Sequence, residues 1–188
     1  NPQGVPVGAV AGYSNMLWKL ANDLHAADGP THLAVVLDKA GTSFRNDIYD
    51  QYKANRPPAP EDLRPQFPLI RDATLAFSFP MIEEEGVEAD DMIASYTVAA
   101  RAAGWDVTII SSDKDLMQLI GNGVDMFDTM KDKRIGRDEV IEKFGVGPEL
   151  VGDVLALMGD SSDNVPGVPG VGPKTATKLI TEFGDLQG

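Results

Sequence analysis

The sequence predicts an α/β fold, a mainly parallel central sheet flanked by helices, followed by a small helical part. Three observations predict it. Helical and strand-like apolar patterns alternate along roughly the first 135 residues, as they do where crossovers connect parallel strands. Several apolar runs lead into an acid: Leu33 to Leu37 precedes Asp38, and Trp105 to Ile110 leads through Ser111 and Ser112 to Asp113. Beyond about residue 136 the strand patterns stop and three helical stretches follow.

Taken in order, residues 8–26 place Val10, Tyr13, Met16, Leu17, Leu20 and Leu24 at helical spacing. Leu33 to Leu37 reads as a short strand. Residues 61–77 read as a helix, Pro80 to Ile82 as a short strand, and Ala89 to Ala103 as a helix with Asp90 and Asp91 in its first turn. Trp105 to Ile110 is the clearest strand. Asp113 stands at the N-cap of a helix continuing through Leu116, Leu119 and Ile120, and Val124 to Phe127 is the last strand. Arg137 to Phe144, Gly147 to Met158 and Pro173 to Phe183 are the closing helices, with Pro148 and Pro173 suited to first-turn positions. Trp18, Trp105, Phe127 and Phe144 fit core positions.

Composition narrows the chemistry. The chain has 188 residues, 43% of them hydrophobic, enough for a sizeable core. It has no cysteine, which excludes disulfides and thiolate zinc sites. Its two histidines, His25 and His32, are too few for a histidine-rich zinc centre and are expected to have no catalytic role. No apolar run approaches the roughly 20 residues of a membrane span, and no signal peptide is visible, so a cytoplasmic location is expected. The net charge of −13 runs against the usual basicity of phosphate-binding domains, so any nucleic-acid contact must come from local basic patches.

Much of the acidity is clustered: Asp38, then Glu88, Asp90 and Asp91, then Asp113 and Asp115, then Asp160 and Asp163. Each cluster has an ordinary explanation. Acidic first turns suit the helix dipole, an Asp cap is common, and Asp38 fits a turn. Asp160-Ser161-Ser162-Asp163-Asn164 fits a capped loop or an oxygen-rich cation loop, but lacks the spacing of an EF-hand. Together the clusters are more telling. Carboxylates gathered at strand ends repel one another unless divalent cations lie among them, and hard oxygen donors suit Mg²⁺ or Mn²⁺.

Two further segments stand out. Gly41 to Pro60 combines Arg45, Lys53 and Arg56 with Phe44, Tyr49, Tyr52 and three prolines, too polar for core and too aromatic for a plain linker. It reads as an element beside the site that orders around a ligand. Its two tyrosines fit packing or base stacking equally. Gly167 to Lys174 carries glycines at 167, 170 and 172 ahead of a helix start, where free N–H groups suit a phosphate with Lys174 and Lys178 nearby. A purely structural turn explains the same glycines. The segment is not a P-loop.

These motifs, with Val35-Val36-Leu37-Asp38, Phe44-Arg45-Asn46, Tyr52 to Pro58, Gly86 to Asp91, Ser112 to Asp115, Gly159 to Asn164 and Gly167 to Gly172, resemble the flap endonuclease superfamily, and within it the 5′ nuclease domains of bacterial DNA polymerase I. The resemblance runs in order over essentially the whole chain. It implies a PIN-like nuclease core over residues 1–135, a helical arch at about 41–66, and a helix-three-turn-helix subdomain over 136–188 that stops short of its usual end. It implies a metal-dependent 5′-3′ exonuclease or flap endonuclease for primer removal and repair.

The site roles follow from the same resemblance. Asp38, Glu88, Asp90 and Asp113 would hold a first metal, Asp115, Asp160 and Asp163 a second, with Asp91 accessory. Two such cations can activate a water and stabilise a leaving oxygen. Lys53 and Arg56 would act at the scissile phosphate. Arg45, Tyr52, Gly167, Gly170, Gly172, Lys174 and Lys178 would contact DNA, with K⁺ at the glycine-rich hairpin. The expected partners are 5′ flaps, nicks, duplex ends and RNA primers on DNA, bound by a monomer fused in nature to a polymerase and associated with the nucleoid. In the family a strand ending in Val-Asp-Gly precedes this region; the expectation is that it is absent here, a piece of about 20 to 25 residues, the size of one strand with its helical turn. A non-catalytic DNA-structure binder and a phosphatase-like α/β domain are the competing readings.

Overall fold

The computed structural model describes residues 4–24, 26, 29–39 and 41–188; His25 lies outside them. In chain order the first elements are α1 (Gly8–Leu24), β1 (Val35–Val36), α2 (Phe44–Ile48), α3 (Gln66–Ala76), β2 (Met81–Ile82), α4 (Ala89–Ala102), β3 (Val107–Ile110), β4 (Val124–Asp128) and β5 (Lys133–Ile135). They continue with α5 (Arg137–Phe144), α6 (Val151–Met158), β6 (Gly159–Asp160), β7 (Val165–Pro166) and α7 (Pro173–Phe183), with 3-10 turns at Asp115–Leu119 and Pro148–Leu150. Contacts group the chain into two compact units, Asn1–Gly41 with Pro57–Ala89, and Thr42–Arg56 with Asp90–Gly188.

In the first unit, β1 and β2 pair in parallel, Val35 opposite Met81 and Val36 opposite Ile82. Helices α1 and α3 pack together, with Leu17 almost fully buried. Polar contacts fix the pair as well: the Tyr13 hydroxyl and Thr74 Oγ1 lie 2.6 Å apart, and the Val10 N–H donates to Gln66 Oε1 at 3.1 Å. Buried Thr74 and Gln66 are thus satisfied, which is what allows polar groups inside an apolar contact. Trp18, expected in the core, is 64% exposed and lays its ring edge against Phe77, whose ring stacks on Phe79.

In the second unit, β3 and β4 pair in parallel from Val107 opposite Val124 to Ile110 opposite Phe127, and β5 joins β4 antiparallel. Strand β4 shows the period of two expected of a half-buried strand: Val124, Met126 and Asp128 are buried, while Asp125 and Phe127 are half-buried. Around it lie Ile109, Leu116, Met117, Ile135, Val140, Phe144, Val151, Val154, Ala176 and Ile180 in one core. Burying each Val, Leu, Ile, Met or Phe side chain among them contributes roughly 1.5–3 kcal/mol. Trp105, also expected in the core, is 48% exposed.

The α/β class and the parallel pairing stand; several boundaries move. Helix α1 ends at Leu24 and α3 begins at Gln66, because residues 61–65 form turns closed by Arg64 Nε donating to Ala59 O at 3.0 Å. The helix expected from Asp113 is a 3-10 turn starting at Asp115. Two-residue strands β6 and β7 lie between the closing helices, where a loop and no strand was expected. Helices α5 and α7 have the expected limits. Helix α5 starts where the Gly136 N–H donates to Glu139 Oε2 at 2.9 Å, and stops at Gly145, whose φ of +73° suits a glycine cap.

Candidate nucleic-acid and metal site

Asp38 lies just beyond β1 and is exposed. Its Oδ1 accepts the Ala89 N–H at 2.7 Å, and its carbonyl accepts Arg71 Nη2 at 3.1 Å. Arg71 in turn pairs with Glu83 at 2.8 Å. Glu88 is half-buried immediately before α4. Asp90 and Asp91 occupy the first turn of α4, where carboxylates are favoured by the unpaired amides. Asp91 receives Arg45 through two parallel bonds of 2.7 Å each. Arg45, expected to contact DNA, therefore presents its fork to a carboxylate of its own chain.

The acids of the later clusters are each set by local geometry. Asp113 closes its own turn: its N–H donates to Ser111 Oγ at 3.0 Å and its Oδ1 accepts the Asp115 N–H at 2.9 Å. Lys114, between them in sequence, donates its Nζ to Asp115 Oδ1 at 2.9 Å and also to Asp160 Oδ2. Burial alone would lower the Lys114 pKa, but the bonds to Asp160 and Asp115 outweigh it and hold the ammonium above its ordinary value. For Asp160, burial alone would raise the pKa; bonds from Lys114, Ser162 Oγ and the Ser162 N–H bring it down to about 2.

Asp163 gathers cations rather than acids. Tyr52 donates its hydroxyl to Asp163 Oδ2 at 3.0 Å, Arg56 pairs with Oδ1 at 2.5 Å, and Lys53 Nζ lies 3.9 Å from Oδ2. Lys53 Nζ also sits over the Tyr52 ring, 4.9 Å from its centroid. Main-chain groups join the same two loops. The Lys53 N–H donates to Asp163 O at 2.8 Å, Asn55 Nδ2 to Ser161 O at 2.9 Å, and Asn164 Nδ2 to Gln51 O at 2.7 Å.

The glycine-rich segment separates into two parts. A Cβ on Gly167 would lie 2.3 Å from the Met158 carbonyl carbon and 2.5 Å from Gly159 N, so this glycine is needed for close backbone approach. Gly170, at φ +80°, and Gly172 have nothing within 4 Å of such a Cβ and stand open. Gly172 caps α7, Pro173 begins it, and Lys174 and Lys178 lie one turn apart on its exposed face while Ala176 and Ile180 are buried. The open glycines and the lysines thus share the exposed end of the segment.

Among the described residues no three acids gather closely enough to hold a metal ion. The donor chemistry nonetheless fits a hard divalent cation. The donors are carboxylate oxygens, and Asp115 Oδ1 and Asp160 Oδ2 already converge on one positive charge, the Lys114 ammonium. Sequence reasoning missed Lys114, Asn55 and Asn164. Lys114 had a visible signal, a lysine flanked by two acids; the asparagines had none, because their partners lie 106 and 113 residues away. No helix among the described residues is long and apolar enough to cross a membrane.

Comparisons with known proteins agree with this architecture. Residues 1–145 match the 5′-3′ exonuclease N-terminal resolvase-like domain and residues 146–188 the 5′-3′ exonuclease C-terminal SAM fold. The chain belongs to the 5′-3′ exonuclease family. It is 60% identical over 186 residues to DNA polymerase I of Rhizobium leguminosarum, covering 97% of this chain and 18% of that protein. It is 40% identical over 185 residues to the 5′-3′ exonuclease of Aquifex aeolicus, covering 98% of this chain and 63% of that one. The chain thus spans less than two thirds of the length of either relative. In structure it is similar to the bacteriophage T5 flap endonuclease in a complex with DNA and metal ions, with a TM-score of 0.79 and 28% identity over 97% of this chain and 69% of that one.

Proposed function

We propose that the chain is the nuclease part of a divalent-metal-dependent 5′-3′ exonuclease or flap endonuclease that hydrolyses DNA phosphodiesters. The observation that carries this reading is the pairing of a basic loop with an acidic one: Lys53 and Arg56 stand on Asp163, within a unit whose Asp115 and Asp160 share a cation. A phosphodiester-cutting site needs both kinds of group, cations for the substrate phosphate and carboxylates for metal ions. The T5 relative with DNA and metal ions supports the same chemistry.

In this reading Asp38, Glu88, Asp90, Asp91, Asp113, Asp115, Asp160 and Asp163 would hold Mg²⁺ or Mn²⁺, which would supply an activated water and charge for the leaving oxygen. Lys114 neutralises Asp115 and Asp160. Lys53 and Arg56 orient the scissile phosphate and offset its developing charge, with Tyr52 against the substrate strand and Arg45 beside it. Gly170, Gly172, Lys174 and Lys178 receive duplex phosphates, with K⁺ at the hairpin, and Gly167 shapes that hairpin. Residues 1–135, with an arch at about 41–66, form the nuclease core and 136–188 the duplex grip. The partners are 5′ flaps, nicks and primer ends, and the working form is a monomer joined to a polymerase.

The test is cleavage of a 5′-flap duplex by the intact protein with and without Mg²⁺, beside Asp113→Ala. Cleavage that requires Mg²⁺ and is lost in the variant is expected; an undiminished rate in Asp113→Ala would sink the metal assignment. The competing reading is a DNA-structure binder without chemistry. DNA binding with no Mg²⁺-dependent cleavage would select it.

A further inference from the structure

The loops Gln51–Arg56 and Ser161–Asn164 are joined by two kinds of contact. One kind is ionic, Lys53 and Arg56 on the Asp163 carboxylate. The other is neutral and reaches the main chain: Asn164 Nδ2 to Gln51 O, Asn55 Nδ2 to Ser161 O, and the Lys53 N–H to Asp163 O. The two kinds have different fates if Lys53 and Arg56 are to act on a phosphate. The ionic contacts must open to release the side chains, whereas the neutral ones can remain closed and hold the backbone from which those side chains extend.

Backbone conformation marks the same place. Lys53 has φ +56° and Asn164 φ +59°, the left-handed region that non-glycine residues enter at a cost and that asparagine tolerates best. One such residue sits on each loop, and each is tied to the opposite loop: Lys53 through its N–H, Asn164 through its amide. Strain of this kind persists where neighbouring contacts over-determine the backbone. A third asparagine secures the same stretch from its other side, Asn46 Nδ2 donating to Tyr52 O at 3.2 Å.

We propose that Asn164 is a positioning residue: its amide, by holding the Gln51 carbonyl, keeps the Gln51–Arg56 loop docked while Lys53 and Arg56 leave Asp163 to meet the substrate phosphate. Asn55 reinforces it. The proposal rests on the nuclease reading for the role of Lys53 and Arg56, but the docking itself does not.

Two variants separate the amide from the backbone. Asn164→Gly keeps the left-handed conformation and removes the donor; Asn164→Asp keeps the shape and sets an acceptor against the carbonyl. In the intact protein both are expected to lower kcat on a 5′-flap duplex about tenfold or more with KM changed less than about threefold, the pattern of lost transition-state positioning. Lys53→Ala is expected to cost less in the Asn164→Gly background than alone, which a general loss of stability would not produce. Without metal or DNA, amide hydrogen exchange over 51–56 is expected to quicken in both variants while that of α6 is unchanged. Unchanged exchange over 51–56, or a full and additive Lys53→Ala effect, would overturn the proposal. An unaltered protein that does not cleave DNA would instead remove the nuclease reading, and the exchange result would still decide whether Asn164 holds the loop.

Discussion

Arg45 grips Asp91 through two parallel hydrogen bonds of 2.7 Å, linking the short helix α2 to the first turn of α4. A planar guanidinium meets a carboxylate in this way with geometry that lysine cannot copy. Arg45→Lys is therefore expected to destabilise by about 1 kcal/mol, the scale of a charge-assisted bond in a half-buried setting. Urea unfolding of Arg45→Lys checks it, beside the cycle of Arg45→Ala, Asp91→Ala and the double variant. Strictly additive losses would mean that the pair contributes nothing as a pair.

Lys114 is the shared partner of Asp115 and Asp160, and its removal leaves both acids without it. Lys114→Met is expected to lower stability by about 1–2 kcal/mol, less than for a fully buried pair because the groups are about a third exposed or less. Added Mg²⁺ should restore melting temperature more in the variant than in the unaltered protein. Equal Mg²⁺ responses would argue against a cation position between the two acids.

The three glycines of the hairpin should behave unequally. Gly167→Ala forces a methyl group against the Met158 carbonyl carbon, and a loss of about 3 kcal/mol is expected. Gly170→Ala meets no atom but must hold φ +80°, which predicts about 1–2 kcal/mol. Gly172→Ala should fall within about 0.5 kcal/mol of neutral. Thermal unfolding of the three variants tests the order, and a Gly172→Ala loss as large as that of Gly167→Ala would contradict it.

Glu149 provides a pH dependence. Two hydrogen bonds from Arg137, each 2.7 Å, hold its carboxyl down at about 2. A carboxylate depressed in the folded state adds stability that is present above its unfolded value near 4.5 and lost as pH falls toward 2. Glu149 is more than half exposed, so the effect is small. Melting temperatures of the unaltered protein and Glu149→Gln should differ modestly at neutral pH and converge near pH 2. A gap that widens on acidification would reverse the sign.

Lys174 and Lys178 lie on the open face of α7, outside the core. If they meet phosphates, each Lys→Ala change should weaken duplex binding and reduce the slope of log affinity against log salt by about 0.9. Binding titrations at several salt concentrations read this directly. An unchanged slope would remove these lysines from the interface.

What could be read from the sequence was what is decided locally. The limits of α5 and α7 were legible because Glu139, Gly145, Gly172 and Pro173 are caps acting within a few residues of themselves. Asp38 and Asp90 were legible as strand-end and helix-start acids for the same reason, whereas Asp113, expected to cap a helix, precedes a 3-10 turn that starts at Asp115. Where main chain is recognised by distant side chains, nothing could be read: Asn55 and Asn164 look like ordinary loop residues until their partners more than a hundred positions away are in place. Strands β6 and β7 were illegible because two residues carry no period, and Pro166 argues against a strand. The exposed tryptophans show a different limit, since an aromatic side chain signals burial only on average.

The meeting of Gly159 and Gly167 sets the offset between α6 and α7 by peptide dimensions rather than by side-chain volume. A Cβ on Gly159 would fall 2.3 Å from Gly167 N and one on Gly167 2.3 Å from the Met158 carbonyl carbon, and the Val168 N–H reaches the Leu157 carbonyl across the same seam at 2.8 Å. Apolar residues on the two helices can therefore be exchanged for others of similar size without changing the pitch at which the hairpin is presented. The spacing works as a ruler whose unit is the backbone itself.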